Sequence, residues 1–481
     1  MTRRRVIWGI LLLAALLRLP GLWTDFWLDE IWSWTLVWDL KLQSRIGGVW
    51  DIFTQIHQDN NNYVNTLFLY LCGPSAALAV YRIPAFLAGM ATVWLGGWLV
   101  VRWTQGRELS EPTALLVGMG LLATSQVEVV YSSEARGYAL AGCAALATQW
   151  CLGALLKSGQ WRIAVAYALI ASAGFLSHLS FLPVFLAHVV WSLAAIIWRR
   201  HTAGSWKLLL VKLTIAFGIP ALLVGWLWLV DLSQAKVGGG PELQPWLVAC
   251  DTFSMPWGAS LPEWCSLPCA LLMVGLLITG LWSLRRAANL EIVSLASLTI
   301  IAPAVLFGLA PDGLVYPRHF LVSLSLLIPI AGVGIAHWLA AERNLIRLAG
   351  MVAVGVWCLG NGSELVRFYE AGRGQYQTAL DHITAGSSGR LTAVGGDFDF
   401  RNSMVMTFYQ ARSKKYQSLR YLPQQAWNQY RPDWIIAHDQ TRDSQFPKEI
   451  QALGLTYTLD GTFPYAGPVG WHWATYKLTT P

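Results

Sequence analysis

About eleven stretches of this chain are each long and apolar enough to cross a lipid bilayer, and short loops separate most of them. They begin near Val6, Ile83, Pro112, Tyr138, Trp161, Phe181, Leu208, Pro268, Glu291, Phe320 and Leu345. A helix of about 20 apolar residues spans the hydrocarbon layer and satisfies its own backbone hydrogen bonds where water cannot reach. The expected fold is therefore an all-α polytopic membrane bundle. Only 13% of residues are charged and the mean hydropathy is +0.45, whereas a soluble chain carries about 25% charged residues. The first run follows Arg3-Arg-Arg5, extends to about Trp23 and has no small-residue cleavage site, so it reads as a retained span.

The net charge of +7 raises the question of nucleic acid. Lys and Arg, however, lie in small clusters between apolar runs and form no basic face, which excludes nucleic acid as a partner and points to membrane topology. The basic loops are 102–107, 157–162, 199–207, 285–286 and 343–347, and an amino terminus on the cytoplasmic side places all of them inside. Tyr63 to Tyr81 is apolar but broken at Gly73-Pro74-Ser75. Counting it as a span would turn every later basic loop outward, so Tyr63 to Leu71 reads as a helix that enters the outer leaflet, or packs along the bundle, without crossing, with a short broken span as the alternative.

This topology gathers 24–62, 131–137, the turn at His178, 231–267 and 311–319 on one outer face of a plasma (inner) membrane protein. Residues 1–360 form the transmembrane domain, with a first outer loop at 24–82, and 361–481 form a smaller extracytoplasmic α/β domain. Strand-like runs at 391–394 and 433–437 and a helix at 402–410 support the second assignment. Cys72, Cys143, Cys151 and Cys358 lie in apolar runs and pack there; for Cys250 and Cys265, in one outer segment, a disulfide and two free thiols both stand.

Nearly all the ionisable residues suited to chemistry fall on that outer face. Asp25, Asp29 and Glu30 come from its first segment, Glu134 and Arg136 from Tyr131-Ser-Ser-Glu-Ala-Arg-Gly-Tyr138, His178 from the third, and Arg318 and His319 from Tyr316-Pro-Arg-His-Phe320. A carboxylate there can take a proton from an attacking hydroxyl or amine while arginines hold a departing phosphate. Each residue also has a plainer reading: Asp29-Glu30 as a solvated helix cap, Glu134 and Arg136 as a local ion pair, Arg318 as a snorkelling anchor, the histidines as packing, and most of the 27 Trp as an interfacial belt. Their co-location favours the chemical reading.

Several strings carry a family resemblance: Leu28-Asp-Glu30, Asn60-Asn-Asn-Tyr-Val-Asn-Thr-Leu-Phe-Leu-Tyr70, Tyr81-Arg-Ile-Pro84, Ser132-Ser-Glu-Ala-Arg-Gly-Tyr-Ala-Leu140 and Tyr316-Pro-Arg-His-Phe-Leu321. Through them the chain resembles the polytopic glycosyltransferases of the GT-C fold, in particular the bacterial group related to protein O-mannosyltransferases and aminoarabinose transferases of lipid A. The resemblance implies a hexosyl or pentosyl transferase using a polyprenyl-phosphate sugar donor, an extracytoplasmic acceptor and no cofactor. It makes Asp29 the general base with Glu30 in support, and Arg136, Arg318 and His178 the donor-phosphate ligands. Glu134, Tyr138, His319 and Asn62 support the site. Two strings depart from the family pattern: Asn61-Asn-Tyr-Val64 replaces a His-Pro segment, and Arg318-His319 replaces Arg-Tyr.

The implied chemistry is an inverting single displacement with no metal ligand, although a divalent ion on Asp29-Glu30 stays open by analogy with the wider fold. The segment 231–267, with Gly238-Gly-Gly240 and Trp246, is either a flap over the donor or a passive connector. Tyr465, Trp471 and Trp473 are either core or a glycan platform. Two other classes compete: a transporter or lipid flippase, against which stands the placement of charge at one surface, and a non-catalytic assembly subunit.

Overall fold

Successive apolar helices end alternately at the two faces of one bundle, as short loops between membrane-crossing segments require. The structure is a computed structural model that describes residues 3–38, 46–105, 109–202, 206–236, 238, 242–258, 263–285, 290–309, 314–387, 391–441 and 444–479. Among the described residues, nine helices are long and apolar enough to cross a membrane, and the chain is a multi-pass membrane protein. The shorter helices Glu111–Thr124 and Trp161–Ser177 occupy the two remaining expected spans. The first of these reaches further because Gln126–Tyr131 follows after one break at Ser125. Of the expected basic loops, 106–108, 203–205 and 286–289 lie outside the described residues.

The broken run folds as two short helices separated at Gly73. Tyr63–Cys72 is a helix of 10 residues, about 15 Å long, and Gly73, at φ 76°, ends it in a backbone conformation that a side chain resists. From Leu78 the chain climbs again and enters the long helix Ile83–Trp103.

Pro317–Leu339 lies at the centre of the bundle. Its apolar window is 94% buried, against 22% for the peripheral Trp206–Gln234. Small residues let neighbours press onto it: a Cβ at Gly334 would lie 2.3 Å from the Leu276 carbonyl, and one at Gly280 2.3 Å from that of Ile330.

The helix Asn344–Ala371 runs through the expected boundary at 360/361, and the second domain follows it from the helix Tyr376–Gly386 onward. Its sheet has the strands β1 (Thr392–Gly396), β2 (Leu419–Tyr421), β3 (Trp434–Asp439), β4 (Glu449–Ala452), β5 (Leu455–Phe463) and β6 (His472–Leu478) in the order β2-β1-β3-β6-β5-β4. β1 is parallel to both β2 and β3, and the remaining pairings are antiparallel. The helix after β1 spans Asp399–Arg412, wider at both ends than the expected 402–410. Trp471 and Trp473 are buried in the core, while the Tyr465 hydroxyl donates to the Gln440 carbonyl. Cys250 and Cys265 are free thiols.

The first loop clamps this domain onto the bundle. The Asp25 carboxylate accepts from the backbone and side chain of Gln377 at 2.8 and 2.6 Å, Tyr409 donates to the Phe26 carbonyl at 2.9 Å, and Phe26 stacks on Phe408. Arg373, fully buried, donates to the carbonyls of Gly21, Val130 and Ser133.

Candidate active site

The helix Leu28–Val37 carries Asp29 and Glu30 in its first turn, where its amide dipoles favour negative charge. Neighbouring residues on a helix point about 100° apart, and the two carboxylates accordingly meet different partners. Asp29 Oδ2 accepts from Arg136 Nη1 at 2.6 Å and faces Arg318 Nη1 at 3.4 Å. Glu30 turns into the protein, where Arg82 Nε and Nη2 grip its two oxygens at 2.8 and 2.6 Å and the Ala135 amide donates to it at 2.8 Å. Burial works against the Glu30 charge, but the Arg82 guanidinium and these donors outweigh it and hold the carboxyl below its ordinary range. Both Glu30 oxygens are thus engaged in a buried ion pair, and Glu30 does not share Asp29's surroundings as the sequence pairing had suggested.

Arg136 is held on two sides. Its Nη2 donates to Asn60 Oδ1 at 2.6 Å, and Asn60 Nδ2 in turn donates to the Asp29 carbonyl at 2.9 Å and to Ser33 Oγ at 3.0 Å. Its guanidinium lies 5.1 Å from the Tyr138 ring. Burial again opposes the charge, and the Asp29 carboxylate more than restores it, so Arg136 stays above its ordinary value. Gly137 is required next to it because a Cβ there would come 1.7 Å from the Ser177 carbonyl, the residue before His178. That contact brings the His178 turn against the Tyr131–Tyr138 segment.

His178 stacks on Tyr138 with ring centroids 4.0 Å apart, and its Nδ1 accepts from the Ser180 amide at 3.1 Å, which leaves the proton on Nε2. Desolvation, with Arg136, His319 and Arg318 nearby, holds the ring well below the ordinary histidine value, so it is neutral. His319 turns toward its own segment, its Nδ1 accepting from the Tyr316 amide at 3.3 Å, and it shapes the turn that presents Arg318. Asn62 donates to the Asn60 carbonyl at 3.1 Å and so braces Asn60.

Glu134 accepts from Trp27 Nε1 at 3.0 Å through one oxygen, and its other oxygen is buried without a partner among the described residues. Burial pushes this carboxyl up to about 7, against the pull of Arg136 and Arg373. An acid whose pKa is higher folded than unfolded releases its proton first in the unfolded chain, so stability falls as pH rises from about 4.5 to 7. Melting temperatures measured across pH 5 to 8 are expected to decline for the wild type and to stay flatter for Glu134→Gln; parallel curves would show that Glu134 does not titrate there.

The donors near Asp29 outnumber its acceptor oxygens. Two guanidiniums converge on one carboxylate oxygen, and Arg136 Nε and Arg318 Nε are both buried without an acceptor among the described residues. Buried donors of this kind call for a partner, and two arginines aimed at one point suit a phosphate. The arrangement is a pair of guanidiniums gathered on one carboxylate oxygen, with two buried donors left over.

Sequence reasoning placed Asp29, Arg136, Tyr138, His178 and Arg318 on this face and missed the residues that hold them. Asn60 and Arg82 stood inside quoted strings without a role. Asp59 was passed over; its Oδ2 accepts from the Gly238 amide at 2.8 Å, and burial raises its carboxyl above the ordinary range. The segment after Asp231 is tied to the same loop: Asp231 Oδ1 accepts from the His57 amide at 2.9 Å, Tyr63 donates to Oδ2 at 2.6 Å, and Lys236 pairs with Gln58. Within the expected flap, Gly239 and Gly240 lie outside the described residues, and Trp246 is exposed.

No protein-family model matches the chain, and no curated protein matches it. Among solved structures it is similar to the crystal structure of ArnT from Cupriavidus metallidurans in the apo state, with 13% identity and a TM-score of 0.44 over 78% of this chain and 81% of that one.

Proposed function

We propose that this chain is a glycosyltransferase of the GT-C type that moves a sugar from a polyprenyl-phosphate donor to an acceptor at the membrane face carrying the C-terminal domain. The observation that carries this reading is the pair Arg136 and Arg318 converging on a single Asp29 oxygen, with both Nε–H groups buried and unused among the described residues. The donor phosphate takes the two guanidiniums, and Asp29, released from them, becomes free to accept a proton. The acceptor hydroxyl or amine then attacks the anomeric carbon as the bond from that carbon to the phosphate oxygen breaks. Asp29 receives the acceptor's proton, and polyprenyl phosphate leaves with the bonding electron pair, its new charge met by Arg136 and Arg318. Glu30, Asn60 and His319 position these groups, while neutral His178 offers a hydrogen-bond donor beside Tyr138.

A single displacement inverts the anomeric centre. Purified protein given a polyprenyl-phosphate sugar of one anomeric form and membrane-lipid extract is expected to yield a product of the opposite form, read by NMR coupling constants. Retention at that centre would exclude the single displacement, and no product from any of several donors would remove the transferase reading.

A further inference from the structure

The carboxyl edge of the parallel strands in the C-terminal domain carries a second arrangement that the chemistry above leaves unused. The chain passes from β1 to β2 on one side and then to β3 on the other, so the carboxyl end of β1 is a topological switch point, the place in open α/β sheets where ligands are bound. Three residues from that edge form a chain. His438 donates from its backbone and from Nδ1 to the two oxygens of Asp397 at 2.8 and 2.7 Å, and Asn402 also donates to Asp397 at 2.8 Å. With the imidazole proton committed to Nδ1, Nε2 is left as the acceptor for Arg401 Nη1 at 2.8 Å.

The Arg401 guanidinium is further held by two rings, 4.7 Å from Phe398 and 5.2 Å from Trp471. No carboxylate pairs with it among the described residues, and its Nε and Nη2 have no partner there. An arginine held by an imidazole acceptor and two aromatic faces keeps a free edge of donors, which is the geometry that takes two oxygens of one anion. An arginine used only to tether the domain would instead be paired with a carboxylate or with carbonyls, as Arg373 is.

This edge faces the candidate active site. Phe400 meets Trp32 edge-on at 5.5 Å, Trp471 meets Trp27 at 6.4 Å, and Trp27 is bonded to Glu134. Tyr316 lies within the fields of both Arg318 and Arg401, and Arg318 is 5.2 Å from its ring. Arg318 thus lies beside Tyr316, and the charge of Arg401 reaches the same tyrosine from the second domain.

We infer that Arg401, held by His438 and Asp397, binds an oxyanion, a phosphate or carboxylate, borne by the acceptor. This assignment rests on the transferase reading, in which Arg136 and Arg318 are already taken by the donor phosphate. The acceptor's anion, held at the edge that meets Trp27 and Trp32, would bring its nucleophile toward Asp29.

Isothermal titration of the full-length protein in detergent, saturated with polyprenyl phosphate, tests the site without turnover. Inorganic phosphate and acetate serve as soluble probes, and nanodiscs of phosphatidic acid against phosphatidylcholine as lipid probes. Arg401→Gln is expected to weaken binding of at least one anionic probe by tenfold or more, with Arg401→Lys intermediate and both variants melting close to the wild type. Dependence on Arg401 confined to nanodiscs would assign the oxyanion to a lipid headgroup, and dependence confined to the soluble probes would assign it to a soluble acceptor. Wild-type affinity of Arg401→Gln for every probe would overturn the site. In sugar transfer to membrane-lipid extract, an unchanged acceptor KM in Arg401→Gln would overturn it while leaving the transferase reading intact. Binding that depends on Arg401 with no transfer from any donor would instead remove the transferase reading, and the acceptor assignment with it.

Discussion

Asp29→Asn is expected to lower kcat for sugar transfer about a thousandfold, within the range found for loss of a general acid or base. The substitution is nearly isosteric, and the amide oxygen can still accept from Arg136, which lies 2.6 Å from Asp29 Oδ2 in the wild type. What disappears is the proton acceptor. The donor KM should stay level or fall, because removing the carboxylate leaves Arg136 and Arg318 with more unbalanced charge for the donor phosphate. Steady-state kinetics that vary the donor at fixed acceptor separate these effects. If kcat stayed within a few fold of wild type while donor KM rose, Asp29 would be a binding residue and the base would have to be sought elsewhere, with Asp59 and Glu134, both within the field of Asp29, the next carboxylates to test.

The second large effect concerns stability. Arg82 is fully buried, grips both oxygens of Glu30, and also donates to the carbonyls of Gly21, Leu22, Thr24 and Asp25 at 2.7 to 3.1 Å. Arg82→Met would strand the Glu30 carboxylate in a site without water, at a cost of about 3–5 kcal/mol. Folded domains are stable by only about 5–15 kcal/mol. The variant is therefore expected to lose most of its monodisperse fraction in size-exclusion melts.

Adding Glu30→Gln to Arg82→Met should recover part of the loss, since the stranded charge is gone even though the carbonyls stay unpaired. The pH dependence has a definite sign. Glu30 is more acidic folded than unfolded, so its contribution is present above the unfolded pKa and lost as pH falls through the folded one. The double variant should lack that acid-side loss. A single Arg82→Met variant that melts with the wild type would mean that water reaches Glu30, contrary to its full burial.

Hydropathy and charge by themselves determined the bundle, the break in the apolar run at Gly73 and the presence of a polar α/β domain at the carboxyl terminus. These follow from length, periodicity and the cost of charge in hydrocarbon, all of which act within one segment or between neighbours. The same reasoning brought Asp29, Arg136 and Arg318 to one face, because any residue at that end of a span must lie there.

Which of two adjacent carboxylates meets the arginines was settled only in three dimensions. Asp29 finds Arg136 and Arg318, 107 and 289 positions away, while Glu30, one step round the same helix, finds Arg82. The Asp397, His438 and Arg401 chain likewise has no local signal, since its members come together only when β1 and β3 pair side by side. Side-chain direction and long-range pairing depend on the packed fold, so the chemistry of each carboxylate and arginine was decided by the tertiary structure, and their placement at one membrane face by the sequence.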